Sequence, residues 1–533
     1  RLIESHLSHS PRSLMQFITA IPSWLNSKLF INKTIRNNLK VLGDTKEIKI
    51  LYSSHHLSHA SSAYYCSSFT NSAILTIDGV GEYSTTAFYE GNGNQITLLK
   101  EISYPNSIGL FYSSITYFLG FKVDSGEYKV MGLAPYGNRS SKKYEFFMNI
   151  IKNQLFINDE LNEFVLNKNY FSFDHSLKMI DIKKWENLFK IKSRQPESPL
   201  SQDYCDFALA AQTILEEHLI ALVKQCRALT SSENLCLAGG VALNCSALEK
   251  VEELKIFENI FVQPASGDAG GSLGSALAVQ NLYFQQIQNS KIDKFNPYLG
   301  PEYSDNEIRM FNKRLKLNPS FFKNKDELAR TIAAHIAEGK IIGLFHGRME
   351  FGPRALGNRS ILADPRSPEM MQKLNLSIKN REGFRPFAPV LLEDDYSIYF
   401  DDIKQKPFMT FTKKIKPEYR CNEPAKELSL EEKITQVRSL IPAVTHVDFS
   451  SRIQTINKDQ NELLYNILIE FKKITGLGIL INTSFNQRGE PIVCSPEDAY
   501  NCFVNTKIDI LVMGGFTYHD KNFKLKKNNF SLD

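Results

Sequence analysis

Short apolar runs and longer helical periods alternate along the first half of the chain. The runs at 48–53, 72–78 and 234–237 predict strands, and residues 85–89 are expected to pair with the second run in a hairpin. Apolar residues recur at helical spacing over 208–229, directly before the last of these strands. Alternation of strands and helices with glycine at the strand exits predicts an α/β layer architecture.

The second half repeats this alternation. Helices are predicted over 327–338 and 462–475, and each is followed by an apolar run, at 341–345 and 479–481, that predicts a strand. The tail from Asp520 is rich in lysine and is expected to be solvated.

A polar, proline-containing stretch at 289–319 shows weak periodicity and predicts a domain boundary. The predicted organisation is a first domain over 1–295, a linker over 296–325 and a second domain over 326–533.

Composition narrows the class of protein. The chain has 533 residues, with 63 Lys and Arg against 58 Asp and Glu, so its net charge is only +5 and general binding of nucleic acid is not expected. No apolar run reaches the roughly 18 residues that a membrane span needs. The eight cysteines form no C-x-x-C pair, which indicates reduced thiols in a cytoplasmic protein.

Two histidines and a carboxylate at a strand exit suggest a metal site. His55 and His59 are four residues apart, so on a helix both imidazoles share one face. Asp78 and Asp268 each follow an apolar strand beside glycine, where ligands of metals and phosphates are often placed. Two histidines and a carboxylate suit Fe(II) and also tolerate Zn or Mn. The alternatives are a hydrogen-bonded pair of histidines and, for Asp268, a simple helix N-cap.

Gly239 and Gly240 stand between the strand at 234–237 and a following helix. Free backbone N–H groups at such a turn can bind a nucleotide phosphate, although a plain strand-to-helix turn explains the same pattern.

The second domain carries a stretch rich in arginine, glycine and proline at 347–366, followed by Lys379, Arg381 and Arg385. Rigid loops bearing guanidinium groups suit phosphates and carboxylates. Residues 482–491 add hydroxyl and amide groups plus Arg488, and are expected to form a second wall of the same pocket.

Taken together, eight segments of the chain resemble the O-carbamoyltransferase family, whose members modify nodulation signals, cephamycins, novobiocin, tobramycin and related natural products. The segments are 55–60, 78–82, 125–135, 239–244, 267–274, 350–360, 385–389 and 482–491. The resemblance implies an actin-like ATPase (ASKHA) domain followed by a YrdC-like α/β domain. It also implies that the second domain forms carbamoyl-adenylate from carbamoyl phosphate and ATP, with Mg as the expected ATP counterion. The first domain would then transfer the carbamoyl group to a hydroxyl of a small-molecule acceptor, and family habit suggests a homodimer.

By resemblance, the metal ligands are His55, His59 and Asp268, and Asp78 is the carboxylate near the transfer site, a candidate base. The nucleotide-binding turn contains Gly239, Gly240, Asn244 and Gly267. The pocket for carbamoyl phosphate and ATP comprises Arg354, Lys379, Arg385, Arg452, Ser484 and Arg488. Of all these residues, the expected catalytic ones are Asp78, Arg354, Lys379 and Arg385.

Members of the family open with a strand pair carrying a Gly…His-Asp-Ser-Ala-Ala motif, and this sequence has no such segment. We therefore expect the sequence to begin after the usual start, which could leave the transfer site incomplete. Two alternatives are an inactive or regulatory nucleotide-binding relative and a small-molecule kinase of the ASKHA fold. The kinase would leave the arginine-rich second domain without a role.

Overall fold

Two mixed sheets, each with helices packed against it, form the centres of the two halves of the chain. The computed structural model describes residues 2–45, 47–158, 164–286, 295–379, 381–421 and 428–521. The α-helices within these ranges are α1 (Leu2–His9), α2 (Leu14–Ser23), α3 (Ile31–Leu39), α4 (His55–Tyr64), α5 (Ile108–Phe118), α6 (Glu127–Leu133), α7 (Lys142–Ile150), α8 (Ile182–Phe189), α9 (Gln202–Leu229), α10 (Cys245–Glu253), α11 (Ala269–Ala278), α12 (Asp305–Leu315), α13 (Lys325–Ala337), α14 (Pro368–Leu374), α15 (Tyr396–Tyr399), α16 (Leu430–Thr435), α17 (Glu462–Thr475) and α18 (Pro496–Val504). None of them is both long and apolar enough to cross a membrane.

The strands in the same ranges are β1 (Asn71–Ile77), β2 (Ser84–Asn92), β3 (Gln95–Ser103), β4 (Phe156–Asn158), β5 (Val165–Leu166), β6 (Asn234–Ala238), β7 (Asn259–Val262), β8 (Ser320–Phe321), β9 (Ile342–Phe345), β10 (Arg359–Ala363), β11 (Ala388–Leu392), β12 (Thr412–Lys414), β13 (Ser450–Arg452), β14 (Gln454–Ile456), β15 (Ile479–Ser484), β16 (Ile510–Met513) and β17 (Phe516–Tyr518).

The first sheet has the order β3-β2-β1-β6-β7. β1 lies antiparallel to β2 and parallel to β6, which in turn lies parallel to β7. The central strand is buried on both faces, as its continuous apolar run predicts. The strands expected at 72–78, 85–89 and 234–237 are confirmed.

The prediction of a strand at 48–53 is wrong, because these residues form no regular secondary structure. Ile48 and Tyr52 are 45% and 63% exposed, so no neighbouring described element buries the apolar face that a strand there would need.

Helix α9 packs across the first sheet beside α5 and buries an aromatic cluster. Phe118 and Phe207 lie in this cluster with ring centroids 5.4 Å apart, and Trp185 contacts Phe118 at 5.6 Å. The helical period at 208–229 is confirmed, although α9 begins earlier than the pattern does, at Gln202. The long buried helix supports the strand exits from one side of the sheet.

The second sheet has eight strands in the order β14-β11-β15-β10-β9-β16-β17-β8. Helices α13 and α17 pack together and cover it with apolar residues such as Ile332 and Leu464. The helices and strands expected at 327–338, 341–345, 462–475 and 479–481 are confirmed, and the α/β fold class is correct for both halves.

The stretch predicted to be a linker, 296–325, contains α12 and β8. Strand β8 pairs with β17 at the edge of the second sheet, and Ile308 and Phe311 of α12 are buried in the core of that half. The hydrophobic periodicity of this stretch is weak because most residues of α12 are polar and exposed, and only one narrow apolar face of the helix is buried. The lysine-rich tail beyond Lys521 and part of the predicted boundary region fall outside the described residues. Lys521 itself donates to the backbone oxygen of Thr506 at 2.6 Å, so the expectation of a solvated end does not hold at this residue.

The two halves contact each other through polar groups as well as apolar ones. Lys406 Nζ lies 2.6 Å from a carboxylate oxygen of Glu252, and Tyr136 donates to the backbone carbonyl of Phe384 at 2.9 Å. The cavity described below lies between the same two halves.

Candidate active site

On one face, helix α4 presents one imidazole in each of its first two turns. Both carboxylate oxygens of Glu82 accept the backbone N–H of His55, at 3.0 and 3.1 Å, and so fix the start of the helix. One turn later His59 brings its Nε2 atom to 3.1 Å from Nε2 of His55. The shared face expected from the sequence is present, and Glu82, to which the sequence pattern gave no role, holds it in place.

Asp78 joins these histidines from the carboxyl end of β1. Its Oδ2 atom lies 2.7 Å from His55 Nε2 and 3.3 Å from His59 Nε2, while its Oδ1 atom accepts the backbone N–H of Gly240 at 3.1 Å. The residue expected to act as a base therefore stands among the expected metal ligands.

Asp268 completes the cluster at the start of α11. Its Oδ1 atom lies 3.7 Å from His55 Nε2 and 3.6 Å from His59 Nε2. Although Asp268 occupies the N-cap position, its side chain makes no capping hydrogen bond. The four side chains offer ligand atoms that all lie within 4.8 Å of one another. We call His55, His59, Asp78 and Asp268 the four-residue cluster.

The charges of the four-residue cluster favour a cation at its centre. Burial disfavours protonation of His59, but hydrogen bonds to Asp268 and Asp78 outweigh burial and raise its pKa to about 9. Burial likewise opposes ionisation of Asp78, yet hydrogen bonds from His55 and His59 hold its pKa far below the ordinary value. Two imidazoles and two carboxylates are a donor set that fits Fe(II), Zn or Mn.

Helix α11 reaches the cluster because it packs closely on α4. A Cβ atom at Gly274 would lie 1.8 Å from the backbone oxygen of Ser58, so only glycine permits this approach. The close crossing of the two helices sets where Asp268 stands relative to His59.

Gly274→Ala is therefore expected to force the helices apart and to lower the free energy of unfolding by about 1–3 kcal/mol, as overpacking does. Gly271→Ala, three residues earlier in α11, is the matched control, because nothing lies within 4 Å of a Cβ atom there. Its expected effect is a stabilisation of about 0.5–1 kcal/mol, since alanine is the better helix former. The urea midpoints of both variants test this, and equal midpoints would contradict the close-packing argument.

The turn at 239–246 connects the cluster to the second half of the molecule. Gly239 has φ +94°, and a Cβ atom there would lie 2.1 Å from the backbone oxygen of Ile77. Asn244 caps α10 through the backbone N–H of Ala247 and exchanges two hydrogen bonds with buried Gln212. Asn244, expected to bind nucleotide, thus has its amide engaged in holding the turn.

Gly267 lies opposite this turn. A Cβ atom at Gly267 would lie 3.6 Å from the side chain of Leu243, which leaves ordinary contact distance. The structure therefore brings together three of the four residues expected in the nucleotide-binding turn, Gly239, Gly240 and Asn244, and places Gly267 against it.

A cavity of about 370 Å³ lies between the two halves. The first half contributes α6, Pro135 after it and the start of α10, including Cys245 and Ser246, and the second half contributes the remainder of the wall. Every residue expected in the carbamoyl phosphate and ATP pocket lines it, namely Arg354, Lys379, Arg385, Arg452, Ser484 and Arg488, and it also includes Arg381. We call this space the cationic cavity.

Some guanidinium N–H groups of the cationic cavity have no hydrogen-bond acceptor among the described residues. The buried Nε atoms of Arg385 and Arg452 find no hydrogen-bond partner among the described residues. Burial lowers the pKa of Arg354, Arg381 and Arg452, but guanidinium groups start so high that they remain charged at neutral pH. Such donors around one space favour a multiply charged anion.

Lys379 is the most constrained cation of the cavity. Its Nζ atom donates to Asn486 Oδ1 at 2.7 Å and to Ser484 Oγ at 3.1 Å, and also to the backbone oxygen of Ser484. Burial, with Arg381 close by, lowers the pKa of Lys379 to about 7. Lys379 therefore both shapes the loop after β15 and carries a charge that depends on pH near neutrality.

Two ion pairs link the cavity to the first half of the chain. Arg488 pairs with Glu197, where one of the two contacts measures 3.1 Å. Glu382, beside the cavity, pairs with Lys129 at 3.3 Å. Glu382 and Lys129 were not among the expected residues, and their separation of 253 positions hides the pairing from the sequence.

Arg385 is held by contacts on two sides. It stacks on the ring of Tyr128 at 4.9 Å and lies 3.4 Å from Glu382. Its guanidinium therefore keeps a fixed position at the cavity wall, between a ring from the first half and a carboxylate from the second.

Of the arginines in the run at 347–366, which the structure describes throughout, only Arg354 lines the cavity. The other three make structural contacts. Arg348 donates to backbone oxygens of the segment before α12, Arg359 is buried against backbone oxygens and an aromatic ring, and Arg366 pairs with a neighbouring aspartate. The interpretation of the whole run as an anion site is therefore corrected to a single cavity residue in a framework of structural arginines.

Comparison with known proteins identifies the family. The model of the carbamoyltransferase N-terminus matches residues 1–277, and that of the carbamoyltransferase C-terminus matches residues 333–520. The chain belongs to the carbamoyltransferase family and is a transferase.

Three relatives show what this chain is similar to within that family. A Synechocystis protein is 43% identical over 524 residues, which cover 97% of this chain and 84% of the relative. Nodulation protein NolNO of Sinorhizobium fredii is 36% identical over 498 residues, covering 92% and 67% respectively. Nodulation protein NolO of Bradyrhizobium diazoefficiens is 35% identical over 467 residues, covering 87% and 78%. The resemblance inferred from the motifs is confirmed.

Proposed function

We propose that this carbamoyltransferase forms carbamoyl-adenylate in the cationic cavity and transfers the carbamoyl group to a hydroxyl of a small-molecule acceptor beside the four-residue cluster. Carbamoyl phosphate, ATP and water would give carbamoyl-adenylate, pyrophosphate and phosphate, so both anions leave the cavity. The observation that carries the proposal is the ring of cationic side chains, including Arg354, Lys379 and Arg452, around one enclosed space.

The cavity suits the first half-reaction because that step gathers phosphate charge. Two phosphate-bearing substrates repel each other, and guanidinium groups with unused donors offset that repulsion. The start of α10 adds the positive end of a helix dipole at Cys245 and Ser246.

The turn at 239–246 supports passage from one site to the other. One end of this short segment donates the Gly240 N–H to Asp78, and its other end lines the cavity at Cys245 and Ser246. The adenylate would therefore move along the turn rather than through bulk water.

The four-residue cluster suits the second half-reaction. A metal ion held by His55, His59, Asp78 and Asp268 would supply Lewis acidity beside the leaving phosphate of the adenylate. Asp78 ties that site to the turn because its second oxygen accepts from Gly240. The proposed cofactor is Fe(II), with Zn or Mn as alternatives, and Mg accompanies ATP.

The fold assignments are part of the same proposal. The order β3-β2-β1-β6-β7, with an antiparallel meander beside parallel strands, supports an actin-like first domain. The eight-stranded mixed sheet with α13 and α17 packed on it is compatible with a YrdC-like second domain. A homodimer, from the family resemblance, and a cytoplasmic location, from the cysteine pattern, remain predictions.

The deciding experiment measures pyrophosphate release by the purified chain with ATP alone, with carbamoyl phosphate alone and with both. Release that requires both substrates is expected. Pyrophosphate release with ATP alone would contradict a reaction that consumes carbamoyl phosphate, and formation of ADP in place of pyrophosphate would favour an ATPase or kinase.

Anion binding in the cavity is expected to weaken as pH rises through about 7. The anion favours protonated Lys379, whose pKa is lowered to about 7 by burial, so above this pH binding requires uptake of a proton. The Kd for carbamoyl phosphate should then rise by up to about tenfold per pH unit, whereas below pH 7 the lysine is already charged and Kd should level off. Calorimetric titration of the wild type and of Lys379→Met tests this, because the variant should lose the dependence. If Kd changed equally with pH in both proteins, the proton taken up on binding would belong to a group other than Lys379.

A further inference from the structure

A second group of potential metal ligands lies outside both sites, where α1 meets the loop 171–180. His9, Asp174 and His175 each offer one ligand atom, and these three atoms lie within 4.8 Å of one another. His9 Nε2 is 3.3 Å from Asp174 Oδ2, and His175 Nδ1 is 2.5 Å from Asp174 Oδ1. The first ligand is far from the other two in the sequence, so the fold alone brings them together.

The hydrogen bonds of His9 fix which of its nitrogens can bind a cation. Its Nδ1 atom lies 3.0 Å from the backbone oxygen of Ser5, and a carbonyl only accepts, so Nδ1 carries the hydrogen. In the neutral ring, Nε2 then directs a lone pair at a carboxylate oxygen of Asp174. Two acceptors facing each other need a cation between them. A ring held by a carbonyl at its other nitrogen is also the usual arrangement of a metal-binding histidine.

Burial and spacing favour a metal ion as that cation. The Asp174 side chain is only 7% exposed, whereas His9 and His175 are 31% and 26% exposed, so an ion can enter from solvent and a water can complete its shell. Two ligands at 2.0–2.1 Å from zinc and at the tetrahedral angle stand about 3.3 Å apart. His9 Nε2 and Asp174 Oδ2 are separated by that distance. His175 Nδ1 lies 2.5 Å from Asp174 Oδ1, closer than two ligands of one ion stand, so a bound ion would draw this pair apart.

We propose that His9, Asp174 and His175 bind a structural divalent ion of the zinc type. The ion fastens helix α1 to the loop 171–180. Neighbouring contacts follow the same path, since Ser5 Oγ donates to the Asp174 backbone oxygen at 2.5 Å and Gln16 donates to that of Ser176 at 3.1 Å.

The ion at His9 has a consequence for the cluster around His55. Glu4 of α1 accepts the hydroxyl of Tyr83 at 2.6 Å, and Tyr83 directly follows Glu82, which fixes the start of α4. An ion bound by His9 therefore stabilises a helix that touches the loop between Asp78 and β2. Its role is positional, and it takes no part in the reaction.

The test uses the full chain, stripped with a chelator and titrated with Zn²⁺, with metal content and thermal midpoint as readouts. His9→Gln and His175→Gln each keep a hydrogen-bonding side chain and should each lose one bound zinc and the upward shift of Tm that zinc gives the wild type. His335→Gln is the control, because this histidine lies on α13 in the second half and faces Glu338. His59→Ala should retain the zinc of this site, which separates it from the four-residue cluster.

Equal zinc content and equal Tm shifts in the wild type, His9→Gln and His175→Gln would overturn the proposal. The three residues would then form ion pairs only. A second outcome would also overturn the proposal. If His59→Ala lost zinc while His9→Gln and His175→Gln kept it, all the bound metal would belong to the four-residue cluster.

Discussion

Arg354→Ala is expected to reduce pyrophosphate release by about a hundredfold or more, the usual cost of removing one donor that stabilises developing charge. Arg354 is the one arginine of its run that lines the cationic cavity, where it lies near Arg452. Loss of its guanidinium removes a planar pair of donors from the cavity proposed to bind phosphate oxygens. The measurement is kcat/KM for pyrophosphate release with ATP and carbamoyl phosphate both varied.

Two further variants make this result specific. Arg354→Lys keeps the positive charge but loses the two parallel N–H donors of the guanidinium group. We therefore expect a rate of pyrophosphate release between those of the wild type and Arg354→Ala. Arg348→Ala is the matched control from the same run, since Arg348 is exposed and donates to the backbone oxygens of Gly300 and Leu299. A normal rate in Arg354→Ala, or an equal loss in Arg348→Ala, would contradict the assignment of the cavity.

The arginine run shows how far composition alone can identify an anion site. Glycine and proline around Arg348, Arg354, Arg359 and Arg366 predict a rigid loop. A loop is present up to residue 358, but Arg359 begins strand β10. Which guanidinium faces the cavity depends on contacts that the fold creates, such as the backbone oxygen of Pro301 that accepts from Arg359. A single sequence carries no record of those contacts, so composition locates the region and not the residue.

The four-residue cluster was easier to predict, because each member has a local signal. His55 and His59 share a helical face, and Asp78 and Asp268 each follow a strand. The order of the first sheet and the close crossing of α11 on α4 then bring the two pairs together. The distinction between a ligand and a base at Asp78 depends on distances of 2.7 and 3.3 Å to the two histidines, which spacing does not encode. The cluster of His9, Asp174 and His175 has no such local signal and could be found only from the fold.

His59→Ala is expected to abolish binding of the metal proposed for the four-residue cluster and to separate the two proposed half-reactions. Pyrophosphate release should continue, because the cationic cavity is lined by other residues. Release of AMP from carbamoyl-adenylate, with water as the acceptor, should fall by about a hundredfold or more, since the charge on the leaving phosphate would lose its Lewis acid. Metal analysis and the two product assays on one preparation test both halves.

His59 is buried, with only 1% of its side chain exposed, so alanine there also leaves a space that can loosen α4. His59→Gln fills more of that space and should give the same separation of the two products, while His519→Ala, at an exposed histidine of the second half, should alter neither. Parallel losses of pyrophosphate and AMP release in both His59 variants would mean that the sites do not act separately. Unchanged metal content with normal AMP release would return His55 and His59 to a hydrogen-bonded pair and leave carbamoyl transfer to another group.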